Sequence, residues 1–199
     1  KYQLSLLRAD RFYRQGMTHG LAALQKNRTF RNAFTSNVRD FSKAVGKMGK
    51  KDAHTLFWTA FCWAGSLNLN RDNPAAIINL PRVNIMIDRV LELEPNYNHG
   101  AVYSFKAVLD ASRPPMLGGN PKNAKTNFEK SLAVEPRYLM NQVLYAQYYA
   151  VQVQNKSLFK RLLTAVKNAP AGEFKQQELA NQLAKRRANL LLKKINKLF

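Results

Sequence analysis

Arginine, lysine and the large aromatics are the side chains here with most to offer a ligand. Arg82, one residue after Pro81, and Arg113, beside a long loop, each carry a guanidinium whose two parallel N–H groups match a carboxylate. A solvated or structurally paired arginine is the plainer account of either one. Trp58 and Trp63 stand five residues apart on one apolar stretch and so point to different sides of a helix. Core packing explains them simply; a cavity wall or a partner-peptide groove is the alternative. Tyr103, Tyr145 and Tyr148, with Tyr97 and Tyr149, pose the same choice. Met116 and Leu117 lie in the long loop, where an apolar residue either tucks beneath the chain or meets a partner.

Catalytic chemistry finds little support. His19, His54 and His99 are far apart in sequence, with neither metal-ligand nor triad spacing around them, so no metal and no cofactor is expected. The single cysteine, Cys62, sits in an apolar stretch where a thiol is inert, and it excludes an internal disulfide framework. Gly118-Gly119 is followed by no Gly-Lys-Ser/Thr and preceded by no strand, so it reads as a flexible turn and not as a phosphate cradle. Asp88 and Glu92 share a helix face, which a solvated surface beside Arg89 explains. The chain is expected not to be an enzyme.

Charge narrows the partner. The 199 residues hold 32 Lys and Arg against 12 Asp and Glu, a net charge of +20. Residues 1–51 have 12 bases and 2 acids, residues 52–155 have 9 and 8, and residues 156–199 have 11 and 2. The excess therefore lies at the two ends. Lys185-Arg186-Arg187, Lys193-Lys194 and the Lys47, Lys50, Lys51 group would attract nucleic acid or anionic lipid weakly and in a salt-sensitive way. No nucleic-acid-binding signature accompanies them, so nucleic acid is not the expected partner.

The elements that must position these residues are helical throughout. Apolar residues recur every three or four positions, and no convincing strand alternation interrupts them. The spacing predicts a helix over about 3–27 ended by Asn27, then a broken stripe from Phe30 to Met48. Asp52 is expected to cap a central helix from Ala53 to Leu69, apolar nearly all round. Asn73-Pro74 marks a start within a loop or short helix, and Leu80-Pro81 opens a helix running through Glu94 to the stop at Pro95. Leu93-Glu94-Pro95-Asn96-Tyr97 is echoed 41 residues later by Val134-Glu135-Pro136-Arg137-Tyr138. Val83 and Ile87 precede the first, and Ala124 and Phe128 the second, at the small and large positions of a tetratricopeptide (TPR) second helix. The extra length over the usual repeat of about 34 residues lies in the loop from Arg113 to Asn120. On that register His99, Val102, Lys106 and Leu109, then Met140, Val143, Gln147 and Ala150, face the concave side. Helices follow over about 138–153 and 157–168, then a break at Pro170-Ala171-Gly172 and one long basic helix from Glu173 to Phe199 that caps the stack.

Four blocks in order carry a family resemblance. They are Leu56-Phe57-Trp58-Thr59-Ala60-Phe61-Cys62-Trp63-Ala64-Gly65; Leu80-Pro81-Arg82-Val83; Met116-Leu117-Gly118-Gly119-Asn120-Pro121 leading to Phe128-Glu129-Lys130-Ser131-Leu132; and Asn181-Gln182-Leu183-Ala184-Lys185-Arg186-Arg187-Ala188. With them the chain resembles the TPR proteins associated with tripartite ATP-independent periplasmic (TRAP) transporters, the T component. The resemblance implies an exported periplasmic lipoprotein that associates with the solute-binding subunit, and an oligomer, with a trimer as the first expectation. No lipobox cysteine is present. The chain opens at Lys1 without methionine, so a trimmed N-terminus carrying the anchor is expected.

The expectation is a single all-α domain over 1–199. It comprises a basic helical section at 1–51, about three degenerate TPR hairpins forming an α-solenoid at 52–170, and a capping helix at 173–199. Its partner is a TRAP-type solute-binding protein, and a small apolar or carboxylate ligand is held or passed through a cavity lined by residues such as Trp58, Trp63, Tyr103 and Tyr145. A general TPR scaffold and a polyanion-binding protein are the competing readings.

Overall fold

The computed structural model describes residues 2–70, 78–113, 115–170 and 172–199. Among them every regular element is helical, and the fold is all-α, built of helical hairpins. The chain divides into two compact units, Lys1–Pro95 and Asn96–Phe199. The boundary at Pro95 falls inside the stretch that the sequence reads as one run of hairpins.

The first unit holds α1 (Tyr2–Leu24), α2 (Arg28–Phe34), α3 (Val38–Gly46), α4 (Ala53–Leu69) and α5 (Leu80–Leu93). The α1–α4 pairing is close because glycine lines it on both sides. A Cβ on Gly16 would come within 2.5 Å of Cys62 Sγ, and one on Gly65 within 2.5 Å of the Tyr13 ring. Gly20, one helical turn after Gly16, faces Thr59 in the same way. Asp10 of α1 ties the other end of the pair, accepting from Ser66 Oγ at 2.7 Å and Asn70 Nδ2 at 2.9 Å. Burial pushes the Asp10 carboxyl up, but these bonds and Arg14 outweigh it and hold it below the usual range. The core is aromatic: Phe30, Phe41 and Phe57 are fully enclosed, as are Val83 and Ile87 of α5.

Two predicted ends shift here. Asn27 does not end α1; its side chain accepts from Thr29 N and Phe30 N and starts α2. Asp52 does not cap α4 either, because its carboxylate turns back to accept from Gly49 N at 3.0 Å and closes the 3₁₀ turn Lys50–Asp52. The Asn73-Pro74 signal lies outside the described residues.

The second unit holds α6 (Tyr97–Ala111), α7 (Pro121–Val134), α8 (Met140–Leu144) continuing into a π-helical segment (Tyr145–Ala150), α9 (Lys156–Asn168), α10 (Glu178–Leu192) and α11 (Ile195–Leu198). Asn120 caps α7 by accepting from Asn123 N, and Asn155 caps α9 by accepting from Leu158 N. Ala124 and Phe128 are fully buried at the small and large positions assigned to them, and burying the phenyl ring stabilises by about 2 kcal/mol. The single long terminal helix is corrected to a 3₁₀ turn (Lys175–Gln177), α10 and the short α11. Its stripe divides as well. Ala184 and Ala188 are the buried positions of α10, whereas Leu179, Leu183 and Leu190 are exposed.

Candidate functional site

Two places in the second unit depart from regular helix. The first is the entry to α6, where Asn98, His99 and Gly100 all have positive φ, at 49°, 59° and 77°. Such a run costs energy unless its surroundings fix it. Asn141 Nδ2 donates to the His99 carbonyl at 3.0 Å, and Asn141 Oδ1 accepts from Ser104 Oγ, which lies 2.6 Å from Ser131 Oγ. All three side chains are buried, so the network is satisfied internally. The His99 ring packs between Tyr138 and Phe174. Arg137 lies over Phe174 at 4.7 Å, and its hydrogen bonds to Glu135 hold that carboxyl down to about 2.

The second departure is the π-helical segment. Asn155 N donates to Ala150 O at 2.8 Å, a five-residue step, and Gln154 turns through φ 53°. The wider turn puts Tyr145 and Tyr149 on one side, their ring centroids 5.3 Å apart. Tyr145 stacks on Phe128 at 4.9 Å. Beside these rings opens a cleft of about 480 Å³, walled by α7 through Lys125 and Glu129 and by the first turns of α9 through Ser157, Leu158 and Arg161. Tyr145 lines it although only 4% of the residue is exposed. Burial, then Glu129 and Tyr149, push the Tyr145 phenol up to about 12, with Arg161 opposing. Lys125 and Glu129 pair at 3.8 Å. The cleft thus offers neutral hydroxyl donors, one guanidinium and an apolar floor, which suits binding.

The other residues singled out from sequence are spread over both units. In the first, Trp63 is core, packed on Phe34 at 6.2 Å, whereas Trp58 is 40% exposed and touches Phe57 and Phe61 edge-on. Arg82 works structurally: its Nη2 donates to Ser36 O at 2.7 Å and its guanidinium lies over Phe41. In the second unit Arg113 bonds back to Leu109 O and its own carbonyl accepts from Gln152 Nε2, which pins the start of the loop. Met116 is 88% exposed on the 3₁₀ turn Pro115–Leu117; the side chain of Leu117 is outside the described residues. Tyr103 carries the Lys130 ammonium over its ring at 5.8 Å, and Lys106 is half-buried on the same helix. Of the positions assigned to a concave face, Val102, Val143 and Ala150 are instead fully buried, because their helices are covered on that side. Tyr148 packs against the core of the unit. Of the proposed set, Tyr145 alone lines the cleft. Sequence reasoning missed Arg161 and Lys125, which no motif marks. The Tyr145 and Tyr149 pair at i, i+4 was the one available signal.

The helical hairpins of the second unit leave an open cleft between helices, and among the described residues no group of three or more His, Cys, Asp or Glu is placed to hold a metal. The family model of the TRAP transporter T-component, TAtT, matches residues 2–199, and the chain belongs to that family. It is also similar to an uncharacterized protein of Treponema pallidum (strain Nichols), 24% identical over 162 residues, which is 78% of this chain and 49% of that protein. The chain spans about half the length of the curated relative it matches. The family is a component of TRAP transport systems. No helix among the described residues is long and apolar enough to cross a membrane.

Proposed function

We propose that the protein is a non-catalytic accessory subunit that docks the solute-binding protein of a TRAP system in the periplasm and holds or passes a small apolar or carboxylate solute. The observation that carries this reading is the family match over residues 2–199. A cleft between helices of the second unit supports the ligand half of it. The TPR character of the hairpins, the family's lipid anchor and a homo-oligomer, first a trimer, belong to the same reading. Titration calorimetry against the solute-binding protein of the cognate TRAP system, at physiological salt and again with salt raised severalfold, tests it. Saturable binding that survives the added salt is expected. Binding that vanishes with screening would instead favour a polyanion, the reading for which exposed Arg186, Lys193 and Lys194 on and beside α10 speak.

A further inference from the structure

α10 carries two apolar lines, and the fold uses one of them. Ala184 and Ala188 are fully enclosed, and Leu191 and Leu192 pack against the core of the second unit. Leu179, Leu183 and Leu190 lie on the other side of the helix, each more than half exposed. At about 100° per residue these three leucines fall within an arc of about 40°. A stripe that meets a broad apolar surface spans about 100° or more, whereas so narrow a line is the seam by which one helix meets another. The fold also divides the basic run that crosses this helix. Lys185 Nζ donates to Ala169 O and Arg187 Nε to Gln147 Oε1, so both turn inward. Arg186 between them is exposed, one turn from Leu183 and one turn from Leu190 on the leucine side. Exposed Lys193, Lys194 and Lys197 continue the cations beyond Leu190. No ion pair among the described residues engages Arg186 or these three lysines.

We propose that the outward face of α10 docks an acidic amphipathic helix of a partner protein, whose apolar side chains cover Leu179, Leu183 and Leu190 and whose carboxylates meet Arg186, Lys193, Lys194 and Lys197. Charge complementarity selects this occupant. A second copy of the chain would set the same cations against one another. A bare polyanion would leave the leucines uncovered, and a lipid surface would need a wider apolar arc. The order of the residues gives the partner a direction: leucines lead at the start of α10 and cations at its end, so the partner helix is apolar toward Leu179 and acidic toward Lys193. Three leucines around one arginine make a small interface, in the class of weak and transient contacts with micromolar affinity. The proposal stands on this face alone and does not depend on the transport reading.

The test uses the full chain and a synthetic helical peptide of about three heptads, with Leu along its seam and Glu beside it, titrated by calorimetry at physiological salt. Its controls are the same peptide with Lys for every Glu and the same peptide with Ser for every seam Leu. Saturable micromolar binding of the first and none of the controls is expected. Leu183→Gln should weaken it about tenfold or more, and Arg186→Glu should abolish it, both with unchanged melting temperature because the side chains are exposed. A peptide whose central Glu is replaced by Lys should recover binding to Arg186→Glu. Lys167→Gln, which removes an exposed charge from the last turn of α9, should leave binding unchanged. Absence of binding overturns the proposal, as does equal binding of the Ser peptide, which the net charge alone would produce. Sedimentation with phosphatidylglycerol vesicles, and sedimentation velocity of the chain by itself, check the other occupants. Vesicle binding or self-association that Leu183→Gln removes, with no peptide binding, would give the face to lipid or to a second copy and overturn the proposal as well.

Discussion

The two compact units solve the same packing problem with opposite chemistry. Each contains a helix that ends before a Glu-Pro, α5 before Glu94-Pro95 and α7 before Glu135-Pro136, and each of these helices buries residues at the small and large positions. The first unit then closes by shape: glycines let α1 approach α4, and phenylalanines fill the core. The second closes by hydrogen bonding: Ser104, Ser131 and Asn141 are buried together and hold three left-handed residues in place. A shape-closed unit resists ligands, while a unit with polar groups inside and irregular helix at its edge can present them to one. The open cleft is found in the second.

Glycine substitutions probe this difference with the largest effects. Gly20→Ala pushes a methyl into Thr59, within 2.9 Å of its Cβ, and should cost about 3 kcal/mol in urea unfolding. Thr59→Ala in the same chain should restore part of it, because it removes Oγ1, the nearest obstacle, and leaves the Cβ. Gly100→Ala should cost a similar amount for another reason, since its φ of 77° is unfavourable for alanine and the new Cβ meets the Ser131 carbonyl at 2.9 Å. Ser131→Ala should not rescue it, the obstacle being backbone. Rescue in both units, or in neither, would erase the distinction.

Buried polar groups give the next smaller effect. Asn141→Ala removes the donor to the His99 carbonyl and the acceptor for Ser104, leaving buried groups unpaired, and should cost about 2 kcal/mol. In the first unit one buried hydroxyl, Thr59, bonds only the Thr55 carbonyl of its own helix, while another, Ser66, donates to Asp10 of α1. Thr59→Val keeps the shape and should cost about 1 kcal/mol or less by the same measurement.

What the sequence showed and hid follows the same line. Helical period, the Leu80-Pro81 start, the Pro95 and Pro136 stops and the buried Val83, Ile87, Ala124 and Phe128 were legible because each is a local rule of propensity or patterning. Asn27 and Asp52 were misassigned because a cap residue can serve the helix on either side, and only backbone geometry decides which amide it meets. The break at Lys193 and Lys194 and the π-helical segment were invisible, since lysine and tyrosine are acceptable helix residues and tertiary packing chose otherwise. Tyr145 was found on its type alone. Arg161 was missed because an arginine on a basic helix looks like any solvated charge until the fold sets it beside two phenols.

Alkaline pH separates the units by the smallest of these effects. The fully buried rings of the first unit are phenylalanines, with nothing to ionise, whereas the second buries Tyr145. Its phenol is pushed up to about 12 in the folded protein, against about 10 when unfolded. Between those values the unfolded chain sheds a proton that the native state keeps, so stability falls as pH rises from 10 toward 12 and the contribution is fully present below 10. Water in the open cleft screens part of the penalty, which leaves about 1 kcal/mol. Tyr145→Phe should therefore lessen the fall in stability above pH 10, leaving the part due to Tyr138, whose phenol burial also pushes up, and remove one late-titrating phenolate from the absorbance curve. An unaltered profile would mean that the Tyr145 hydroxyl reaches free solvent, and the second unit would then be closed by shape just as the first is.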